Sequence, residues 1–160
     1  MTRFTPGWWV ASGFGSGASP VAPGTAGSLV GLAIGVPLLH VAPALVVAAI
    51  LLATAGGLWA IHAATGQAMF GHTEADHDDP GWIVVDEIAG QMIALLALHK
   101  ISLIGVALAF ALFRLFDISK PGPIGWADRQ GGAAGIMADD LLAGVAAALV
   151  LTLVYKVVSF

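Results

Sequence analysis

Ile83-Val-Val-Asp-Glu-Ile-Ala-Gly90 sets two adjacent carboxylates, Asp86 and Glu87, into residues 80–98, a stretch that otherwise reads as apolar helix. Ionisable groups in or at the edge of a lipid-compatible segment are expensive, so each needs a partner or a purpose. Ile83, Val84, Val85 and Ile88 flank the pair and make a poor setting for two merely solvated acids. Gly90 falls one turn beyond Asp86.

Four more apolar stretches surround this one. Residues 26–39 are short and rich in small side chains, and residues 41–64 are long enough to cross a hydrocarbon core of about 30 Å. Pro37 and Pro43 bracket His40, which predicts a turn there between two helices. A polar loop, residues 71–79, leads to Asp79–Pro80, an N-cap followed by proline at the first helical position. His99–Lys100 breaks the third helix from a fourth over residues 101–117. Glycine and proline dominate residues 120–125, glycine recurs over 131–135, and a fifth helix is expected to open at Asp139 or Asp140 and run to 158. The first, third and fourth stretches fall below the roughly 20 residues of a comfortable span. The expectation is an all-α, multi-pass helical membrane bundle with four to five membrane-inserted helices, and residues 1–160 forming one domain.

Composition agrees. The 160 residues are 58% hydrophobic and only 10% charged, with a mean hydropathy of +0.91. A soluble domain carries about 25% charged residues, so the membrane bilayer is the natural solvent for this chain. A net charge of −4 and a pI near 5.6 exclude nucleic acid as a partner, which needs a basic stripe. The absence of cysteine removes disulfides, thiolate metal sites and cysteine nucleophiles. Arg3 is followed by no apolar core of signal-peptide type, so no cleavable signal is expected. Trp8 and Trp9 suit a membrane–water interface.

Helical hairpins turning at His40 and at His99–Lys100 would gather every acid on one side of the bundle. Arg3, Arg114, Lys120 and Arg129 fall on that side, and Lys100 and Lys156 on the other. The basic excess makes the acidic side cytoplasmic by the positive-inside rule.

Arg114 and Asp117 are three residues apart and close enough to pair. That pair has a plain reading as an intrahelical salt bridge. Alternatively Arg114 and Lys120 hold a phosphate while Asp117 binds metal. Asp128–Arg129 reads equally as a turn salt bridge and as part of a site. Asp139–Asp140 suits a helix N-terminus through the dipole and capping, yet one acid would serve for that, and a second points to metal. The run Gly13-Phe-Gly-Ser-Gly-Ala-Ser-Pro-Val-Ala-Pro-Gly-Thr25-Ala-Gly-Ser28 ends where a helix begins, a place that favours an anion; it lacks the Gly-Lys-Ser/Thr element of a Walker loop. The five histidines have no metal spacing. His72 and His77 lie in the polar loop, and His40, His62 and His99 belong to turns or packing. Carboxylates for a hard cation and Arg and Lys for phosphate together suit magnesium-assisted phosphoryl chemistry.

At these same residues the chain closely resembles the phosphatidylglycerophosphatase A family. The blocks are the Gly13–Ser28 run with its Pro-Gly-Thr-x-Gly-Ser ending, Ile83-Val-Val-Asp-Glu-Ile-Ala-Gly90, Phe113-Arg-x-x-Asp-x-x-Lys-Pro-x-Pro-Ile124, Asp128-Arg129, and Gly135-Ile-Met-x-Asp-Asp140 with Ala143-Gly144. They occur in the family's order across residues 13–144. Ala133 stands where the family usually has glycine, and the 71–79 loop is longer than typical. The resemblance implies a magnesium-dependent hydrolase that removes the terminal phosphate of phosphatidylglycerophosphate, a phospholipid substrate, in the bacterial cytoplasmic membrane. It also implies helices packed around a central one. On this reading Asp86, Glu87, Asp117, Asp139 and Asp140 share the roles of Mg2+ ligand and general base. Arg114, Lys120 and Arg129 meet the phosphoryl oxygens, and Gly24, Thr25 and Ser28 position the headgroup.

Two other classes were weighed. A cation transporter would spread its acids through the bilayer, whereas these cluster at one mouth. A lipid phosphotransferase would carry an Asp-rich D-G-x-x-A-R helix pattern, which is absent. The stripe Gly27-x-x-x-Gly31-x-x-x-Gly35 permits either intramolecular packing or dimers.

Overall fold

The computed structural model describes residues 4–71 and 80–158. Every regular element among them is helical. A short α1, Pro6–Ala11, and a 3-10 turn, Ser16–Ala18, precede α2, Pro23–Val41, and α3, Pro43–Thr65. Then come α4, Val85–Leu95, α5, Leu103–Ser119, a short α6, Pro123–Asp128, and α7, Gly132–Val158.

Local chemistry sets most of these boundaries. Pro23, Pro43 and Pro123 each occupy the first turn of a helix, where a missing N–H costs nothing. The residue before a proline is pushed out of the helical region. Ala42, ahead of Pro43, is accordingly extended and separates α2 from α3. The break therefore falls two residues after His40, and Pro37 lies inside α2. Ser102 caps α5 by accepting from the Gly105 amide at 3.0 Å, and Gly66 ends α3 in the left-handed conformation.

The central element is α4. Nine of its 11 residues are buried, and it packs against α2, α3, α5 and α7. The Gly27, Gly31 and Gly35 stripe of α2 is used inside the chain. An added Cβ on these residues would press on Val84, on Ile88 and Gln91, and on Leu95 and Met92 respectively. Backbones approach still more closely where α4 crosses α7. A Cβ on Gly90 would overlap the Asp140 carbonyl, and one on Gly144 would overlap the Gly90 carbonyl.

The outward faces are apolar. Leu45, Leu51 and Leu52 on α3 and Leu149, Leu153 and Val157 on α7 are exposed. Among the described residues, three helices are long and apolar enough to cross a membrane: α2, α3, and residues Gly132–Val157 of α7.

Two boundaries differ from the sequence expectation, each for a tertiary reason. The third long segment becomes helical only at Val85, five residues later than Pro80. The Val84 amide is taken by the Ala11 carbonyl at 3.0 Å, and the Trp82 ring lies 6.2 Å from that of Trp8. With its end at Leu95, α4 is only about 16 Å long, too short to span a bilayer. Conversely, the last helix starts at Gly132, seven residues before Asp139. The Ala133 and Ala134 amides donate to the Ala68 and Met69 carbonyls at 2.9 and 3.0 Å, which satisfies its first turn without an acidic cap. Asp79 and the 71–79 loop beyond Gly71, with His72 and His77, lie outside the described residues.

Candidate active site

Chemistry-bearing side chains converge at the N-terminal end of α4. Asp86 and Glu87 stand in its first turn. The glycine crossing with α7 brings Asp140 beside them. Each of the three offers a carboxylate oxygen, and these oxygens lie within 4.8 Å of one another. Asp86 and Asp140 are only 4% and 3% exposed, so these charges have left water. Buried charges are tolerated only when compensated. Some compensation is visible: the Glu87 amide donates to Asp86 Oδ1 at 3.0 Å. More is missing, because Glu87 Oε2 and Asp140 Oδ1 are buried without a hydrogen-bond partner among the described residues. Three clustered carboxylates, two of them with an orphaned oxygen, fit a hard cation with oxygen ligands. This donor set could hold a metal ion.

Cations ring this cluster. On α5, Arg114 forms an ion pair with Asp117, and its Nη1 lies 4.0 Å from Glu87 Oε1. Asp117 is within electrostatic reach of Asp86, Glu87 and Asp140, so it borders the group as a fourth carboxylate. Lys120 ends α5 in a left-handed conformation, φ 42° and ψ 53°, which costs a non-glycine residue about 1–2 kcal/mol. Its ammonium pairs with Asp128 and donates to Asp139 Oδ2 at 2.6 Å. Partial burial works against the Lys120 charge, but the carboxylates of Asp128 and Asp139 outweigh it and hold the proton more firmly than usual.

The glycine run meets the site through α2. An added Cβ on Gly24 would overlap Glu87 Oε1 and stand 3.0 and 3.1 Å from the Arg114 guanidinium nitrogens. A side chain there would have to displace the Glu87 and Arg114 head groups from their present positions. Ser28 is buried, and its hydroxyl donates to the Gly24 carbonyl at 2.8 Å; Thr25 is half-buried on the same turn.

Of the residues singled out from sequence, Asp86, Glu87 and Asp140 come together directly, with Asp117, Arg114 and Gly24 bordering them. Asp139 is buried too, but turns to Lys120. Arg129 is exposed at the C-terminal end of α6, where an added Gly125 Cβ would stand 3.4 Å from its guanidinium. His62 accounts for itself structurally, Nδ1 lying 2.7 Å from the Gln67 carbonyl, and His99 packs on Tyr155. One residue escaped the sequence reading. Gln91, four residues after Glu87, is fully buried with both amide atoms unpartnered among the described residues. A lone amide within an apolar helix was the available signal.

The phosphatidylglycerophosphatase A family profile matches residues 9–155. The chain belongs to the phosphatidylglycerophosphatase A family. It is 39% identical to phosphatidylglycerophosphatase A of Escherichia coli, over 89% of this chain and 79% of the relative. It is 42% identical to the protein of that name from Haemophilus influenzae, over 88% and 83%. It is also 39% identical, over 85% of both chains, to a Bacteroides thetaiotaomicron protein provisionally named phosphatidylinositol-3-phosphatase. No solved structure matches the chain. All the residues of the acidic cluster fall inside the segment matched to the phosphatidylglycerophosphatase A family.

Proposed function

We propose that this chain is a magnesium-dependent phosphatase that hydrolyses the terminal phosphate of phosphatidylglycerophosphate to give phosphatidylglycerol. One observation carries the chemistry: three carboxylates from two helices meet within 4.8 Å, beside the Arg114 guanidinium. Family membership supports the substrate.

Asp86, Glu87 and Asp140 would hold Mg2+, with Asp117 as a neighbouring carboxylate. Magnesium, when bound there, supplies Lewis-acid polarisation of a phosphoryl oxygen and neutralises charge. The chain's own groups do the rest. Arg114, fixed by Asp117, and Lys120, fixed by Asp139, present charged donors to the non-bridging oxygens, where charge gathers during in-line displacement. Arg129 joins them at the rim. A carboxylate of the cluster accepts the proton of the attacking water. The bare backbone at Gly24 lets the headgroup approach Glu87 and Arg114, with Thr25 and Ser28 on the same turn.

The chain works as one domain over residues 1–160, in the bacterial cytoplasmic membrane with the acidic end facing the cytoplasm. The α4–α5 hairpin enters the bilayer among the three long helices, giving four to five inserted helices in all. Along α7, residues 141–158 cover about 27 Å, close to the roughly 30 Å hydrocarbon thickness, with Lys156 their one charge. Asp139 and Asp140 then lie at the membrane boundary.

Purified protein in detergent, given phosphatidylglycerophosphate and magnesium, should release inorganic phosphate. EDTA should stop it, and mass spectrometry should show phosphatidylglycerol. No phosphate release under these conditions defeats the proposal. The Bacteroides relative's name makes a phosphatidylinositol 3-phosphate the comparison substrate; faster hydrolysis of that lipid would reassign the headgroup.

A further inference from the structure

A groove opens between α5, α6 and α7, outside the carboxylate cluster. Phe116, Pro121 and Ile124 form one wall and Leu142, Ala146 and Leu149 the other, around a cavity of about 360 Å³. Every residue along it is apolar. Apolar space of this kind gives water nothing to bond. Leu149 is 63% exposed, so the lower end of the groove lies open on the flank of a helix long and apolar enough to cross a membrane.

The upper end is different. Pro121 directly follows Lys120, whose ammonium is shared between Asp128 and Asp139, the latter at 2.6 Å. Asp139, Leu142, Ala146 and Leu149 follow one another at helical spacing along a single face of α7. Asp140, the next residue, points into the carboxylate cluster. A cation thus stands at the head of an apolar trough that runs about 10 Å down α7 from Leu142 to Leu149. That pattern complements an amphiphile with an anionic head and a hydrocarbon tail, in the orientation that delivers the head to the acids.

We propose that this groove seats one acyl chain of the lipid substrate, so that Lys120 and the carboxylate cluster receive a phosphomonoester already in register. The second chain stays in the bilayer. The inference rests on the lipid-phosphatase reading above and deepens it by assigning the tail a site.

Two measurements on the full-length protein test it. In the first, wild type, Ala146→Phe and Leu149→Trp are compared on phosphatidylglycerophosphate with sixteen-carbon chains and with six-carbon chains. Filling the groove should raise KM for the long-chain lipid about tenfold, leave kcat alone, and change the short-chain KM less than twofold. Leu149→Trp alters a side chain already open to lipid, so it reads the groove even if the Phe variant misfolds. An unchanged long-to-short KM ratio in Leu149→Trp overturns the proposal. The second uses wild type in nanodiscs with a diazirine on the acyl chain. A phosphatidylglycerophosphate probe should label Leu142, Ala146 and Leu149 and be displaced by unlabelled substrate, whereas a phosphatidylcholine probe should not favour these residues. Equal labelling by both probes, or equal labelling of Leu51 and Leu52 on α3, overturns it. Wild type inactive on both chain lengths would defeat the phosphatase reading, while the labelling pattern would still decide the groove.

Discussion

Two pairs of neighbouring acids sit on facing helices and meet different fates. Asp86–Glu87 sends both carboxylates into one cluster, whereas Asp139–Asp140 divides: Asp140 joins the cluster and Asp139 pairs with Lys120. Adjacent residues on a helix point about 100° apart. On α4, which is enclosed by four other helices, both directions meet protein and other charges. On α7 one direction faces α4 and the other faces the α5–α6 turn, so the second carboxylate finds a cation. The same dipeptide chemistry therefore gives two members of the cluster in one place, and one member plus one anchor in the other.

The widest test of that division is a pair of isosteric changes. Asp140→Asn, like Asp86→Asn, should lower phosphate release by about 10³-fold, the scale of losing a group that acts on the transition state. Asp139→Asn should cost only about tenfold. Equal losses at 139 and 140 would erase the distinction. Next in size, Arg114→Ala should reduce activity about 10²-fold and also lower the thermal unfolding temperature in detergent, because Glu87 and Asp117 would lose their cation. A metal titration sharpens the contrast without turnover. Magnesium at 100 times its dissociation constant should stabilise wild type and Asp139→Asn by about 2.7 kcal/mol, read from thermal unfolding, and should leave Asp140→Asn unmoved. The smallest effect belongs to Arg129→Ala. Arg129 is exposed, and in the proposed role at the rim its loss should raise KM only about threefold.

Much of this was legible before any coordinates. Acids inside apolar stretches must be compensated somewhere, and Asp86, Glu87 and Asp140 are found together for that reason. All-helical architecture followed from apolar runs of helical length, and the central helix from the family resemblance. The length of α4 was hidden, because Trp82 and Val84 belong to one continuous apolar stretch with it, and contacts with Trp8 and Ala11 hold them out of the helix. The start of α7 was hidden likewise, since its first amides are satisfied by carbonyls more than 60 residues away in sequence. The Lys120–Asp139 pair spans two helices and has no local spacing rule to betray it. The glycine stripe of α2 was ambiguous from sequence, and its contacts with α4 show it serving the chain's own interior.

The position of the acidic cluster near one end of α7, with a long apolar stretch of that helix beyond it, bears on traffic. An enzyme so arranged need not lift its lipid out of the leaflet. On the proposed function, substrate would arrive by lateral diffusion in two dimensions and water from the aqueous side. The two products would then part by solubility, phosphate into the aqueous phase and the dephosphorylated lipid back into the sheet it came from.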